Sequence, residues 1–130
     1  MKILALDYGS ARTGVAVSDP TGTLARPLGV VERAGVDTGL AELARLVREQ
    51  EVERVVVGLP LTLRGMRGEQ ARETESFVET LRGVVDVPVE LFDERFTTDL
   101  AQQTAGAAPE DALAAAHLLS TYLEWCAARS

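Results

Sequence analysis

With 130 residues, 46% of them hydrophobic and 25% charged, the chain has the size and composition of a single globular domain, 1–130, around one core. That balance excludes an intrinsically disordered chain and a collagen-like one. The formal net charge of -7 argues against a protein that holds nucleic acid by bulk electrostatics.

Met1 and Lys2 lead directly into an apolar run broken by Asp7, so no signal-peptide pattern is read. The other apolar runs, Val55–Leu61 and Leu113–Leu119, fall far short of the ~20 residues that a membrane span needs. Cys126 is the single cysteine, which excludes an intramolecular disulfide and a cysteine cluster for zinc and suits a reducing cytoplasm. A small apolar helix residue is its simplest role. Of the thirteen cations only Lys2 is a lysine. Arginine forks suit bidentate phosphate contacts, although GC-biased codon usage gives the same skew.

In chain order, Ile3–Leu6 and Thr13–Ser18 read as strands joined by a tight turn through Gly9. A third extended stretch, Leu24–Val31, contains Pro27 and therefore suits a sheet edge. Together they form an antiparallel meander. The period then changes: Leu40, Leu43, Ala44 and Val47 mark an amphipathic helix, with Asp37 or Thr38 as its N-cap. Arg54–Leu59 is a β-branched run bounded by Pro60, as expected of a buried parallel strand. Glu69–Arg82 reads as a second helix and Val87–Phe92 as the next strand. Two successive strand–helix–strand units imply parallel pairing with right-handed crossovers. A short helix over Thr98–Ala105, a break at Gly106–Pro109 and a last helix from Glu110 complete the chain. The expected class is α/β: a mixed five-stranded sheet, antiparallel first and parallel later, flanked by helices.

Three acidic residues stand out against this frame. Asp7 ends a strand on the same face as Ile3 and Ala5, where a carboxylate must be paired, hydrogen-bonded or metal-bound. A turn-starting Asp capping Gly9 or Ser10 is the plainer account. Glu94, with Asp93 and Arg95, lies just past the carboxyl end of a parallel strand, where open α/β sheets bind ligands; a solvated turn would look the same. Asp111 sits in the first turn of the last helix, where the helix dipole alone favours an acid. Three carboxylates meeting at one point repel unless divalent cations neutralise them, and an oxygen-only set without His or Cys suits Mg²⁺ or Mn²⁺. Two such ions can activate water and stabilise a leaving oxygen in phosphodiester hydrolysis. His117 is then not needed. The loop Asp7–Gly14 also resembles the first phosphate loop of the actin-like and sugar-kinase ATPases, but those need a second domain to close on ATP.

The stretch from Leu4 through Asp7-Tyr8-Gly9 and Arg12-Thr13-Gly14 to Asp19 resembles the opening of the YqgF family, also called RuvX. Val56-Val57-Gly58-Leu59-Pro60-Leu61, the Gly65…Gly68 loop, Phe92-Asp93-Glu94-Arg95-Phe96-Thr97-Thr98, and Asp111-Ala112 through Tyr122-Leu123 are similar to its later motifs, in order. The resemblance covers essentially the whole chain. It implies a ribonuclease H-like fold related to the RuvC Holliday junction resolvases. It also implies a bacterial cytoplasmic nuclease maturing the 5′ end of 16S ribosomal RNA, with Asp7, Glu94 and Asp111 as catalytic, metal-binding carboxylates. Arg12 and Arg95, in matching motifs, become phosphate contacts. Two departures stand out. Thr62-Leu63-Arg64-Gly65 replaces the family's Asn-Met-Asp/Asn-Gly, so that Arg64 and Arg67 either clamp a phosphate or form a solvated pair on the loop. Ala105–Glu110 carries no cation where relatives are basic.

The leading expectation is therefore a Mg²⁺- or Mn²⁺-dependent nuclease with Arg12, Arg64, Arg67 and Arg95 holding the backbone. Its partners would be precursor rRNA, branched DNA or ribosomal particles, and it would act as a monomer or homodimer without a membrane. A Holliday junction resolvase is the alternative enzyme. A ribosome-assembly factor that binds without cutting is the alternative from another class.

Overall fold

The computed structural model describes residues 1–61, 64–94 and 110–129. These form strands β1 (Ile3–Asp7), β2 (Arg12–Ser18) and β3 (Ala25–Glu32), helix α1 (Asp37–Glu49), strand β4 (Arg54–Leu59), helix α2 (Glu69–Arg82), strand β5 (Val89–Asp93) and helix α3 (Glu110–Ala128). The strands make one sheet in the order β3-β2-β1-β4-β5. β1 pairs antiparallel with β2, and β2 with β3, whereas β1–β4 and β4–β5 are parallel. The meander and the crossovers expected from the alternation are thus present. The helix expected over Thr98–Ala105 lies outside the described residues.

Pro27 lies on the edge strand, where it pairs with Ala16 beside a shift in register. The absent amide therefore costs no ladder bond to a further strand. The β2–β3 turn is closed by Asp19, whose carboxylate accepts from the amides of Thr23 at 2.8 Å and Leu24 at 2.9 Å and from the Thr21 hydroxyl. These bonds, the Leu24 amide foremost, hold Asp19 well below the usual carboxylate range. One local expectation is corrected. The N-cap of α1 is Val36, with no side-chain cap, and Asp37 is the first helical residue. Its charge acts on the helix dipole instead of closing the first turn.

Side-chain alternation divides the core in two. Leu4, Leu6, Val15, Val17, Val55 and Val57 face α1 and α2 and pack on Leu43, Val47, Phe77, Val78 and Leu81. Ile3, Ala5, Ala16, Val56 and Phe92 face α3 and pack on Ala115, Ala116, Leu118, Leu119, Tyr122 and Leu123. Large side chains fill the first layer. The α3 layer meets the centre of the sheet through alanines, which allows close approach of helix and sheet.

Tyr122 anchors the far end of that layer. Its buried ring meets Phe92 edge-on at 5.3 Å, and its hydroxyl accepts from Arg54 at 2.8 Å and donates to Glu90 at 3.2 Å. Tyr122→Phe keeps the ring and removes only the hydroxyl that bridges Arg54 and Glu90, which lie 3.7 Å apart as an ion pair and are about one-third exposed. Its expected cost is about 1 kcal/mol in urea unfolding. Tyr122→Ala, which also opens a cavity, is expected to cost about 3–5 kcal/mol.

Candidate active site

The three acids singled out in the sequence come from three elements. Asp7 is the last residue of the central strand β1, directly opposite Gly14 of β2 and one position past the Leu6–Val57 pair of β4. By alternation it points toward the α3 layer, as Ile3 and Ala5 do. Glu94 follows the last residue of β5, Asp93, and Asp111 is the second residue of α3. The carboxyl end of the parallel strands and the start of the last helix thus converge on one point.

Asp7 and Glu94 are hydrogen-bonded through their side chains. Glu94 is the partner that keeps the proton: burial, then the Asp7 charge, then its bond to Asp7 and the Asp93 charge push it from the ordinary 4.5 up to about 7. Asp7 is also raised, chiefly by burial and further by the charge of Asp111, although the bond from Glu94 opposes the shift. Asp93 therefore acts on the site by repulsion. Asp111 is balanced differently, by an ion pair with Arg12 at 3.1 Å. The Arg12 side chain is 65% exposed, so this cation sits at the rim of the site.

Among the described residues, no group of three His, Cys, Asp or Glu side chains is gathered closely enough to hold a metal ion. The structure joins Asp7 to Glu94, while Asp111 faces Arg12 and reaches Asp7 by charge. The donor chemistry nevertheless fits a hard divalent cation. Two half-buried carboxylates are hydrogen-bonded to each other and both are raised by burial and mutual repulsion, and a third is paired with a guanidinium, so the site concentrates negative charge that a cation would compensate.

Of the other cations, Arg67 pairs with Glu75 through Nε at 2.9 Å and Nη2 at 2.7 Å, and Arg64 is exposed on the same loop. Arg95 lies outside the described residues. His117 is half-buried along α3, away from the first turn that carries Asp111. The Asp7–Gly14 loop is tied by Thr13, which is fully buried and whose hydroxyl lies 3.4 Å from both the amide and the carbonyl oxygen of Gly9.

Sequence reasoning missed two features. One is the Arg12–Asp111 pair. The other is the tightness around the acids: a Cβ on Gly14 would overlap the backbone carbonyl of Asp111, and one on Gly58 would overlap the Glu94 carboxylate and stand 2.7 Å from its Cγ. The only signal available was a glycine at the end of a run of valines in β4.

The mixed five-stranded sheet in the order β3-β2-β1-β4-β5, flanked by helices, is a ribonuclease H-like fold. Among solved structures it is similar to Thermus thermophilus RuvC in complex with a Holliday junction, with a TM-score of 0.63 at 19% identity over 97% of this chain and 96% of that one. It is also similar to the fowlpox virus resolvase bound to junction DNA, with a TM-score of 0.57 at 13% identity over 97% and 99% of the two chains. The model of the RuvX family, described as Holliday junction resolvase, matches residues 1–125, and the chain belongs to that family. Relatives named "Putative pre-16S rRNA nuclease" include one from Chloroflexus aurantiacus, 44% identical over 94% of this chain and 86% of its own length. Another, from Syntrophomonas wolfei, is 35% identical over 95% and 94%.

Proposed function

We propose that this chain is a divalent-cation-dependent nuclease that hydrolyses phosphodiester bonds at the 5′ end of precursor 16S rRNA in the cytoplasm. The observation that carries this reading is the meeting of Asp7, Glu94 and Asp111 at the carboxyl end of the parallel strands and the start of α3, with Asp7 and Glu94 hydrogen-bonded to each other. The RNA substrate rests on the names of the relatives. Asp7, Glu94 and Asp111 would hold Mg²⁺ or Mn²⁺, which when bound would activate water and stabilise the leaving oxygen. The chain's own part is to fix three oxygen donors at the ends of rigid elements and to place a guanidinium at the rim.

Arg12 is the cation best placed to hold a phosphate there, exchanging Asp111 for the substrate. Arg64, Arg67 and Arg95 are proposed to position the backbone farther out; Arg67 would leave Glu75 to do so. Arg12→Ala is expected to raise the Kd for RNA about three- to tenfold and to lower the salt slope of binding by about one. A filter-binding titration at several salt concentrations checks this.

A second reading, cleavage of branched DNA, is favoured by the family's description as Holliday junction resolvase. It needs two sites to cut paired strands, hence a homodimer. The deciding experiment offers end-labelled precursor 16S RNA and a synthetic four-way junction to the protein with Mg²⁺, Mn²⁺ or EDTA. Cation-dependent cutting of the RNA supports the proposal, and cutting of the junction alone replaces it with the second reading. Binding of RNA or ribosomal particles with no cutting of either substrate would point to an assembly factor.

A further inference from the structure

We propose that Gly14 and Gly58 are positioning residues, empty slots on the two strands flanking Asp7 that let Asp111 and Glu94 reach it. The inference rests on the nuclease reading for its effect on turnover, and on geometry alone for the slots.

Both glycines lie on the α3 side of the sheet, in alternation with Ala16 on β2 and Val56 on β4. Neither has a positive φ, so neither is required by backbone conformation. A glycine inside a strand gives up side-chain packing and adds conformational entropy to the unfolded chain. What these two supply is space. The Gly14 slot is filled by backbone: a Cβ there would overlap the Asp111 carbonyl group and stand 3.1 Å from the Ala112 nitrogen. The Gly58 slot is filled by a side chain: a Cβ there would overlap Glu94 Oε1 and stand 2.7 Å from Cγ and 2.9 Å from Cδ. Gly29, on the edge strand β3, shows that this is not general, since a Cβ there meets nothing within 4 Å.

The two slots differ in consequence. An alanine at 14 must push the first turn of α3 off the sheet, which disturbs packing as well as Asp111. An alanine at 58 asks only that Glu94 swing away from Asp7, which the end of a half-exposed side chain can do while the core stays intact. Gly58 therefore separates the placement of the carboxylate from the stability of the fold. A misplacement of about 1 Å in a reacting constellation costs about a hundredfold in rate.

The test compares wild type, Gly58→Ala and Gly29→Ala by crystal structure, by Mn²⁺-induced thermal stabilisation and by cleavage of precursor 16S RNA and of the four-way junction. In Gly58→Ala the Glu94 carboxylate should leave Asp7, the Mn²⁺ midpoint should rise at least tenfold, and kcat should fall about a hundredfold with KM within twofold. Its metal-free melting temperature should stay close to that of wild type, and Gly29→Ala should match wild type in every readout. Gly14→Ala should lose both stability and turnover. A Gly58→Ala crystal structure with Glu94 unmoved, or a variant with wild-type Mn²⁺ midpoint and kcat, overturns the inference. Wild-type protein that neither responds to Mn²⁺ nor cuts either substrate counts against the nuclease reading instead, and the Glu94 position in Gly58→Ala then decides the slot.

Discussion

Asp7→Asn should lose cleavage by at least about three orders of magnitude and should be more stable than wild type when no cation is present. The two halves of this expectation have one cause. Asp7 sits at the centre of the cluster, bonded to Glu94 and repelled by Asp111. Replacing its carboxylate by an amide of the same shape removes one negative charge from a half-buried acidic site and supplies an N–H donor to Glu94. The fold gains from that exchange, whereas the proposed cation would lose its central ligand. Activity lost through unfolding would bring the opposite change in melting temperature, so measuring both on one preparation separates the two causes. Turnover within tenfold of wild type would remove Asp7 from the catalytic site.

The same cluster dictates how stability varies with pH. Glu94 is held at about 7 in the folded protein against an ordinary 4.5, and Asp7 is shifted in the same direction. The folded state therefore binds the shared proton more tightly than the unfolded state does. This contribution is fully present below about pH 4.5 and is lost as the pH rises through 7. Allowing for solvent screening of a carboxylate that is only partly buried, the loss is on the order of 2 kcal/mol. Metal-free protein should accordingly melt at a lower temperature at pH 8 than at pH 5.5. Mg²⁺ or Mn²⁺ should restore stability, more strongly at pH 8, because a cation and a proton compete for the same oxygens. Glu94→Gln should flatten the pH dependence and abolish the cation effect together. A wild-type curve that rises from pH 5.5 to 8 would show that the pair holds no such proton.

These expectations were partly visible in the residues. Asp7 declared itself because a carboxylate interrupts an alternating apolar strand, and period alone placed it on the face of Ile3 and Ala5, where the structure has it. Glu94 was legible from its position after a parallel strand. Asp111 was less so: an acid in the first turn of a helix satisfies the dipole wherever the helix lies, and it stood out only because three isolated acids fall at element ends that the topology could bring together, a grouping the family resemblance then matched. The Arg12–Asp111 pair and the slots at Gly14 and Gly58 depend on strand register and on how α3 docks, which no local pattern encodes. The α1 cap failed for a local reason. Asp37 and Thr38 were both chemically suited to it, but the backbone enters the helix one residue earlier, at Val36.

The sheet order, by contrast, followed from simple rules. The short loop through Gly9 forces β1 and β2 to be antiparallel neighbours, and each crossover helix sets its following strand parallel. Because β4 returns beside β1, the carboxyl end of β1 lies next to those of β4 and β5, and this brings Asp7 and Glu94 together. The acidic net charge of -7 fits the same picture. Substrate would be held by a few guanidinium groups at the rim and by cations in the cluster, with little help from the field of the whole molecule.

The most direct measurement is anomalous diffraction from crystals of the wild-type protein soaked in Mn²⁺ at pH 8. The expected result is a manganese peak within bonding distance of carboxylate oxygens of Asp7 and Glu94, with Asp111 turned from Arg12 toward it. An empty cluster at saturating Mn²⁺, with the Asp7 and Glu94 carboxylates unmoved and Arg12 still on Asp111, would contradict the account.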